Sequence, residues 1–144
     1  LEALRDDRSL LAGAADELIR WASPVLYFGR LATRDVELGG ASIRAGDRVV
    51  LWYPSGNRDE RTFDDPFRFD IRRNPNPHVS FGGGGPHYCL GASLAKKEVQ
   101  VMFAALLDRF ARIELTAAPV WSGCGPAVNV GVSIDTMPVR LEVR

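Results

Sequence analysis

Phe81-Gly82-Gly83-Gly84-Gly85-Pro86-His87-Tyr88-Cys89-Leu90-Gly91 is the stretch on which the reading of this 144-residue chain turns. Four consecutive glycines let the backbone come close to a bulky planar group, because no Cβ stands in the way. Directly behind Gly91 a strong helical pattern begins, carried by Leu94, Ala95, Val99, Met102, Phe103, Leu106, Leu107 and Phe110. The unpaired N–H groups and the positive end of that helix face back towards Cys89, and both favour the anionic form of a thiol. A thiolate is the form that a metal binds. Apolar residues cover more than one stripe of this helix, which predicts a core element buried on several sides.

Taken alone, Cys89 reads equally well as a reactive ligand and as a buried, inert thiol. Structural zinc takes about four Cys or His ligands, whereas the chain holds two Cys and two His in all. His87 and Cys89 would have to recruit His78 and Cys124 at irregular spacing. A phosphate-binding loop fits no better, since Leu90-Gly91-Ala92 stands where a Lys-Ser/Thr pair would follow the last glycine. Haem iron asks for one soft axial ligand, which this sequence has.

Composition narrows the remaining classes. The hydrophobic share is 46% and the charged share 25%, values of an ordinary globular domain, so residues 1–144 are read as one unit. Eighteen basic residues balance eighteen acidic ones, which disfavours nucleic acid and anionic membranes as partners. Two cysteines are too few for a disulfide framework and fit a reducing, cytoplasmic setting. No run of apolar residues reaches membrane-spanning length. The first residue is Leu, and the opening resembles the end of an amphipathic helix, so the chain is expected to be part of a longer protein.

Upstream of the glycine loop, Leu11, Ala14, Ala15, Leu18 and Ala22 recur at helical spacing, predicting a helix over residues 10–22 that ends at Pro24. Residues 36–38, 41–44 and 48–53, punctuated by Gly39-Gly40 and Gly46, predict a small antiparallel sheet. Residues 54–77, with four prolines and little periodicity, predict a long ordered meander. Beyond the long helix, residues 128–134 and 139–143 read as a terminal hairpin. The fold class expected is α+β, mainly helical, with small antiparallel sheets.

Several of these motifs together resemble the cytochrome P450 family. The end of its haem loop, Gly-x-His/Arg-x-Cys-x-Gly, is matched by Gly85-Pro86-His87-Tyr88-Cys89-Leu90-Gly91, and its helical Glu-x-x-Arg by Glu17-Leu18-Ile19-Arg20. Asn57-Arg58-Asp59 and Phe63-Asp64-Asp65-Pro66-Phe67-Arg68-Phe69-Asp70 are similar to the family's meander and its arginine-bearing motif. The resemblance covers essentially the whole chain and implies the C-terminal, haem-binding part of the P450 fold, of the bacterial soluble type.

That resemblance implies a set of roles. Cys89 is the axial ligand of haem b (iron protoporphyrin IX), His87 and Arg30 hydrogen-bond the propionates, and Phe81, Gly83 and Gly91 shape the cofactor loop. Glu17, Arg20 and Arg68 form a buried charge network; read without the family, Glu17 and Arg20 are an exposed helix pair worth about 0.2–0.5 kcal/mol. Val25, Leu26 and Tyr27, with Phe28 and residues 129–132, border the substrate pocket. The implied activity is insertion of one oxygen atom from dioxygen into an apolar small molecule. Electrons come from a ferredoxin- or flavin-type donor that docks on a basic patch drawn from Arg58, Arg61, Arg72, Arg73, Lys96 and Lys97.

Two departures qualify the match. The family's loop aromatic stands one position nearer its cysteine than Phe81 does, so one additional glycine has been accommodated. The long central helix that delivers protons to bound oxygen has no counterpart here. The alternative is therefore a non-catalytic or truncated module lacking the distal half.

Overall fold

The structure, a computed structural model, describes residues 1–122 and 131–144. A short helix α1 (Glu2–Asp6) and a 3₁₀ turn at Arg8–Leu10 lead into helix α2 (Leu11–Ala22), close to the helix expected from periodicity. Helix α2 buries Ala14, Ala15 and Ile19 and, unusually, Glu17 and Arg20. It ends at Ser23, which takes a left-handed conformation at φ 41°. A left-handed non-glycine residue costs roughly 1–2 kcal/mol. The capping hydrogen bonds offset this: the Ser23 N–H donates to the Ile19 carbonyl at 3.0 Å and its hydroxyl to the Arg20 carbonyl at 2.8 Å.

Two antiparallel ribbons follow instead of one sheet. Strand β1 (Tyr27–Leu31) is an element that sequence patterning does not mark. Strands β2 (Val36–Leu38) and β3 (Ala41–Ile43) form a hairpin across Gly39-Gly40, while β4 (Arg48–Trp52) returns to pair with β1. Both hairpin glycines have positive φ, 57° and 82°, as a tight two-residue turn demands. Residues 54–56 of the expected meander belong to a one-turn helix α3 (Tyr53–Gly56), and residues 57–91 contain neither helix nor strand, so the meander expected over 57–77 holds and runs on into the glycine loop.

Helix α4 (Ala92–Arg109) starts right after the glycine loop and packs on α2. Leu4, Ala14 and Leu107 form the buried cluster, with Leu10, Leu11 and Ile71 around it. Here an expectation fails. Of α4 only Ala92 and Leu107 are buried, and Leu94, Val101 and Met102 are more than half exposed. Apolar patterning reports which surfaces a helix is suited to cover, and in this chain α1 and α2 cover one side.

The terminal hairpin is also corrected. Strand β5 (Phe110–Leu115) pairs with β8 (Val139–Val143), and β6 (Val120–Ser122) with β7 (Ser133–Thr136). The return arm therefore pairs with the chain leaving α4, not within residues 128–143. Pro119 and Pro138 lie where the two ladders break, and neither has an N–H to donate across the gap. The part of the expected hairpin at residues 128–130, like Cys124 and the proposed pocket residues 129–130, lies outside the described residues.

Candidate functional site

The Glu17–Arg20 pair is wholly buried and closes as a fork, with Arg20 Nε to Glu17 Oε2 at 2.7 Å and Nη2 to Oε1 at 2.8 Å. Two parallel charge-assisted bonds of this kind are about twice as strong as neutral ones. Arg20 also donates to the carbonyls of Asn57, Pro66 and Arg68, so one guanidinium gathers three points of the meander onto α2. Glu17 accepts in addition from the Asp70 N–H at 2.8 Å and from Asn76 Nδ2 at 3.0 Å. Burial pushes the Glu17 carboxyl up, but bonds from Arg20 and Asp70 and the charges of Arg20 and Arg73 outweigh it, leaving it below its ordinary value.

The third member of this network is Arg73, not Arg68. Arg73 Nε stands 3.3 Å from Glu17 Oε2, and its other nitrogens donate to the carbonyls of Asp64, Asp65 and Arg68. Arg68 takes part through its carbonyl while its side chain faces solvent. Beneath both guanidinium groups lies the buried ring of Phe63, 5.2 Å from Arg20 and 5.8 Å from Arg73, a cation–π stack that neutral packing would not supply.

Asn57, fully buried and in sequence an ordinary residue of the meander, ties three segments together. Its Nδ2 donates to the hydroxyls of Ser23 at 2.9 Å and Ser80 at 2.8 Å, and its Oδ1 accepts the Val79 N–H at 2.8 Å. No local signal marks it, because its partners are 34 and 23 residues away.

Ser80 leads into a cavity of about 470 Å³ that brings together Arg30, Phe81, His87 and Cys89 with Val25, Phe28 and Tyr53. Residues from β1 and from the glycine loop thus converge although more than fifty positions separate them in sequence. The Cys89 side is set by the loop backbone: the Cys89 N–H donates to the Phe81 carbonyl at 2.9 Å. Gly82, Gly84 and Gly85 all have positive φ, between 77° and 97°, so glycine is demanded there by conformation. Gly83 has an ordinary φ, and a Cβ added to it would meet nothing within 4 Å. Gly91 is the N-cap residue of α4, and a Cβ there would lie 3.9 Å from the Cys89 sulfur. Cys89 is exposed at this mouth, not an inert core thiol.

The substrate-side assignment is partly revised. Along β1 side chains alternate, so Phe28 and Arg30 face the cavity, while Tyr27 lies on the opposite face, stacked on Trp52 at 5.8 Å. Leu26 does not line the cavity either; its carbonyl accepts the Tyr53 N–H at 2.9 Å. Val25 does line it, and an antiparallel bridge joins Val25 to Gly131, with the Val132 N–H on the Pro24 carbonyl at 3.0 Å; residues 131 and 132 themselves are not among the lining residues. A Cβ on Gly131 would stand 3.0 Å from the Pro24 carbonyl, so any other residue there would push the neighbouring backbone away by a few tenths of an ångström.

The six cations of the expected docking patch have different surroundings. Arg73 belongs to the buried network, Arg61 is paired with Asp59, Lys96 with Asp16 at 2.8 Å, and Arg58 donates to the Trp21 carbonyl over its ring. Arg72 and Lys97 remain as exposed cations without an ion pair among the described residues.

The cytochrome P450 profile matches residues 2–119. The chain is 51% identical over 114 residues to the "Methyl-branched lipid omega-hydroxylase" of Mycobacterium tuberculosis, covering 79% of this chain and 27% of that protein. It is 53% identical over 106 residues to the "Steroid C26-monooxygenase" of the same species, covering 74% of this chain and 24% of the relative. Among solved structures, P450BioI in complex with a hexadec-9Z-enoic acid ligated acyl carrier protein superposes with a TM-score of 0.91 at 37% identity, over 99% of this chain and 36% of that one. Mycobacterium marinum CYP268A2 in complex with pseudoionone gives 0.86 at 45% identity, over 96% and 32%. A loop cysteine before a helix, buttressed by a buried Glu-x-x-Arg fork, thus defines the class, and the chain belongs to the cytochrome P450 family. It spans about a quarter of the length of the curated relatives it matches.

The family implies a haem, and the cavity residues fit one. Apolar walls from Val25, Phe28 and Phe81 suit a flat macrocycle. Arg30, whose Nη1 donates only locally to the Gly29 carbonyl at 2.9 Å, has no carboxylate partner among the described residues, and His87 lies on the same cavity. Both are free to donate to the two carboxylates that such a macrocycle carries.

Proposed function

We propose that this chain forms the cysteine-bearing wall of a haem-thiolate monooxygenase that acts on an apolar substrate with electrons from a ferredoxin- or flavin-type donor. The observation that carries the reading is the convergence of Cys89, His87, Phe81 and Arg30 on one cavity from two distant parts of the sequence. Cys89, three residues before the start of α4, would ligate the iron of haem b. Arg30 and His87 would fix the macrocycle in rotation by binding its propionates. Val25 and Phe28 would keep water from its edge. Haem, when bound, supplies the metal at which dioxygen is activated.

The two mycobacterial relatives, by their names a lipid ω-hydroxylase and a steroid monooxygenase, support a lipid or steroid with an aliphatic end as substrate. Val25 and Phe28 supply the kind of surface such a chain requires. The other reading is a non-catalytic module that retains the architecture; the exposed apolar side of α4 favours it for the 144 residues by themselves.

Haem addition followed by reduction and carbon monoxide tests the assignment. The expected result is the strongly red-shifted Soret band of a thiolate complex, lost in Cys89→Ser. If the band survives that substitution, the ligand is misassigned. A wild-type spectrum without the band removes the haem reading, and a normal band with no product under supplied peroxide favours the module.

A further inference from the structure

We propose that Asn57 and Ser80 position the Cys89 loop, forming the fixed end of a hydrogen-bond chain that ends on the backbone of the thiol residue; its functional meaning rests on Cys89 as haem ligand. The chain is continuous. Asn57 Oδ1 accepts the Val79 N–H at 2.8 Å, the Val79 carbonyl accepts the Gly82 N–H at 2.8 Å, and the Phe81 carbonyl accepts the Cys89 N–H at 2.9 Å. Each link constrains the next, because residues 79–82 are held at both ends of one turn.

The chemistry at the fixed end admits only an amide. The Ser23 hydroxyl donates its single hydrogen to the Arg20 carbonyl at 2.8 Å, and the Ser80 hydroxyl donates to the Ile19 carbonyl at 3.1 Å. With both hydrogens committed to the C-terminal end of α2, each hydroxyl offers Asn57 a lone pair, and only a donor fits between them. An aspartate would set lone pairs against lone pairs or strip the helix end of its caps. Asn57, Ser23 and Ser80 are all buried, so a lost partner is not replaced by water.

Apart from its own turn bonds, Tyr88 N–H to the Gly85 carbonyl and Cys89 N–H to the Phe81 carbonyl, the glycine stretch is unpacked. A Cβ on Gly83, Gly84 or Gly85 would meet nothing within 4 Å. The anchor to the rest of the fold enters at residues 79–82. Ser23 and Ser80 make equivalent bonds to Asn57, but Ser80 alone lines the cavity and precedes Phe81. That asymmetry gives a matched control.

Amide hydrogen exchange of the haem-free chain tests the proposal, with the Cys89 amide compared against that of fully buried Leu107 in α4 as internal reference. Ser80→Ala and Ser23→Ala both remove one hydroxyl that caps α2 and are expected to lower the melting temperature alike. Ser80→Ala is expected to speed Cys89 exchange relative to Leu107 by about fivefold to tenfold, the worth of one buried hydrogen bond. Ser23→Ala is expected to leave that ratio unchanged, and Asn57→Asp to raise it further. Equal ratios in the two serine variants overturn the proposal. In haem-loaded samples Ser80→Ala should shift part of the reduced carbon monoxide complex from the red-shifted Soret band to a shorter-wavelength one, with Ser23→Ala like wild type. A wild-type chain without the red-shifted band, but with the exchange ratio responding as stated, removes the haem reading and leaves the positioning role standing.

Discussion

Arg68 and Arg73 sit five positions apart in the same meander, and their side chains do different work. Arg73→Ala removes an ion pair to Glu17 and three carbonyl contacts and is expected to cost about 2–3 kcal/mol, read as a fall in the urea midpoint at unchanged slope. Arg68→Ala should stay within about 0.5 kcal/mol, because the carbonyl that Arg20 uses survives the substitution. The family resemblance implied that an arginine of the meander joins the Glu17–Arg20 fork, but the motif does not distinguish which residue contributes a guanidinium and which a carbonyl. Asn57 was less legible still, since its meaning lies in two hydroxyls already spent on helix carbonyls.

Titration at this scale has a definite sign. Burial pushes the His78 imidazole below its ordinary range, with Asp16 pulling the other way and Lys96 and Arg20 adding to the depression. The Glu17 carboxyl is likewise held low. Both groups resist protonation in the folded state, so the unfolded chain binds more protons as pH falls. Stability should be greatest near neutrality, decline as pH drops through and below the ordinary imidazole range, and decline again below the ordinary carboxylate range. Urea midpoints measured across that interval check it, and His78→Phe should flatten the first decline while leaving the second.

Strand β1 shows how an element can serve two purposes by alternation. Phe28→Ala alters the cavity face and is expected to weaken haem binding, with the loss read by hemin titration. Tyr27→Ala alters the opposite face, loses the stack on Trp52, and is expected to lower stability by about 1 kcal/mol while leaving hemin affinity nearly unchanged. The helices were legible because a 3.6-residue period is local. Strand β1 was not, as Tyr27, Phe28, Gly29, Arg30 and Leu31 show no polar alternation. The tail ribbons were misread for a related reason: pairing between residues 110–122 and 133–143 depends on where Pro119 and Pro138 interrupt the ladders, a long-range fact.

For the molecule as a whole, the exposed side chains of α4 have a consequence in solution. Leu94, Val101 and Met102, together with fully exposed Leu90, present an apolar surface of the kind that soluble monomers seldom leave uncovered. The 144-residue chain is expected to bind a hydrophobic dye and to associate as its concentration rises. Leu94→Gln combined with Val101→Gln should reduce both, measured by dye fluorescence and light scattering, without lowering the melting temperature. The fold class and the cysteine loop were legible from sequence because they rest on contiguous motifs. The exposure of α4 was not, since periodicity says that a face is apolar and says nothing of its neighbour.

Every link from Asn57 to Cys89 is made of protein atoms alone, as is the Glu17–Arg20–Arg73 network behind it. The conformational entropy of arranging the Cys89 loop is therefore spent within folding itself, and a partner that docks on that loop meets donors and acceptors already set in place.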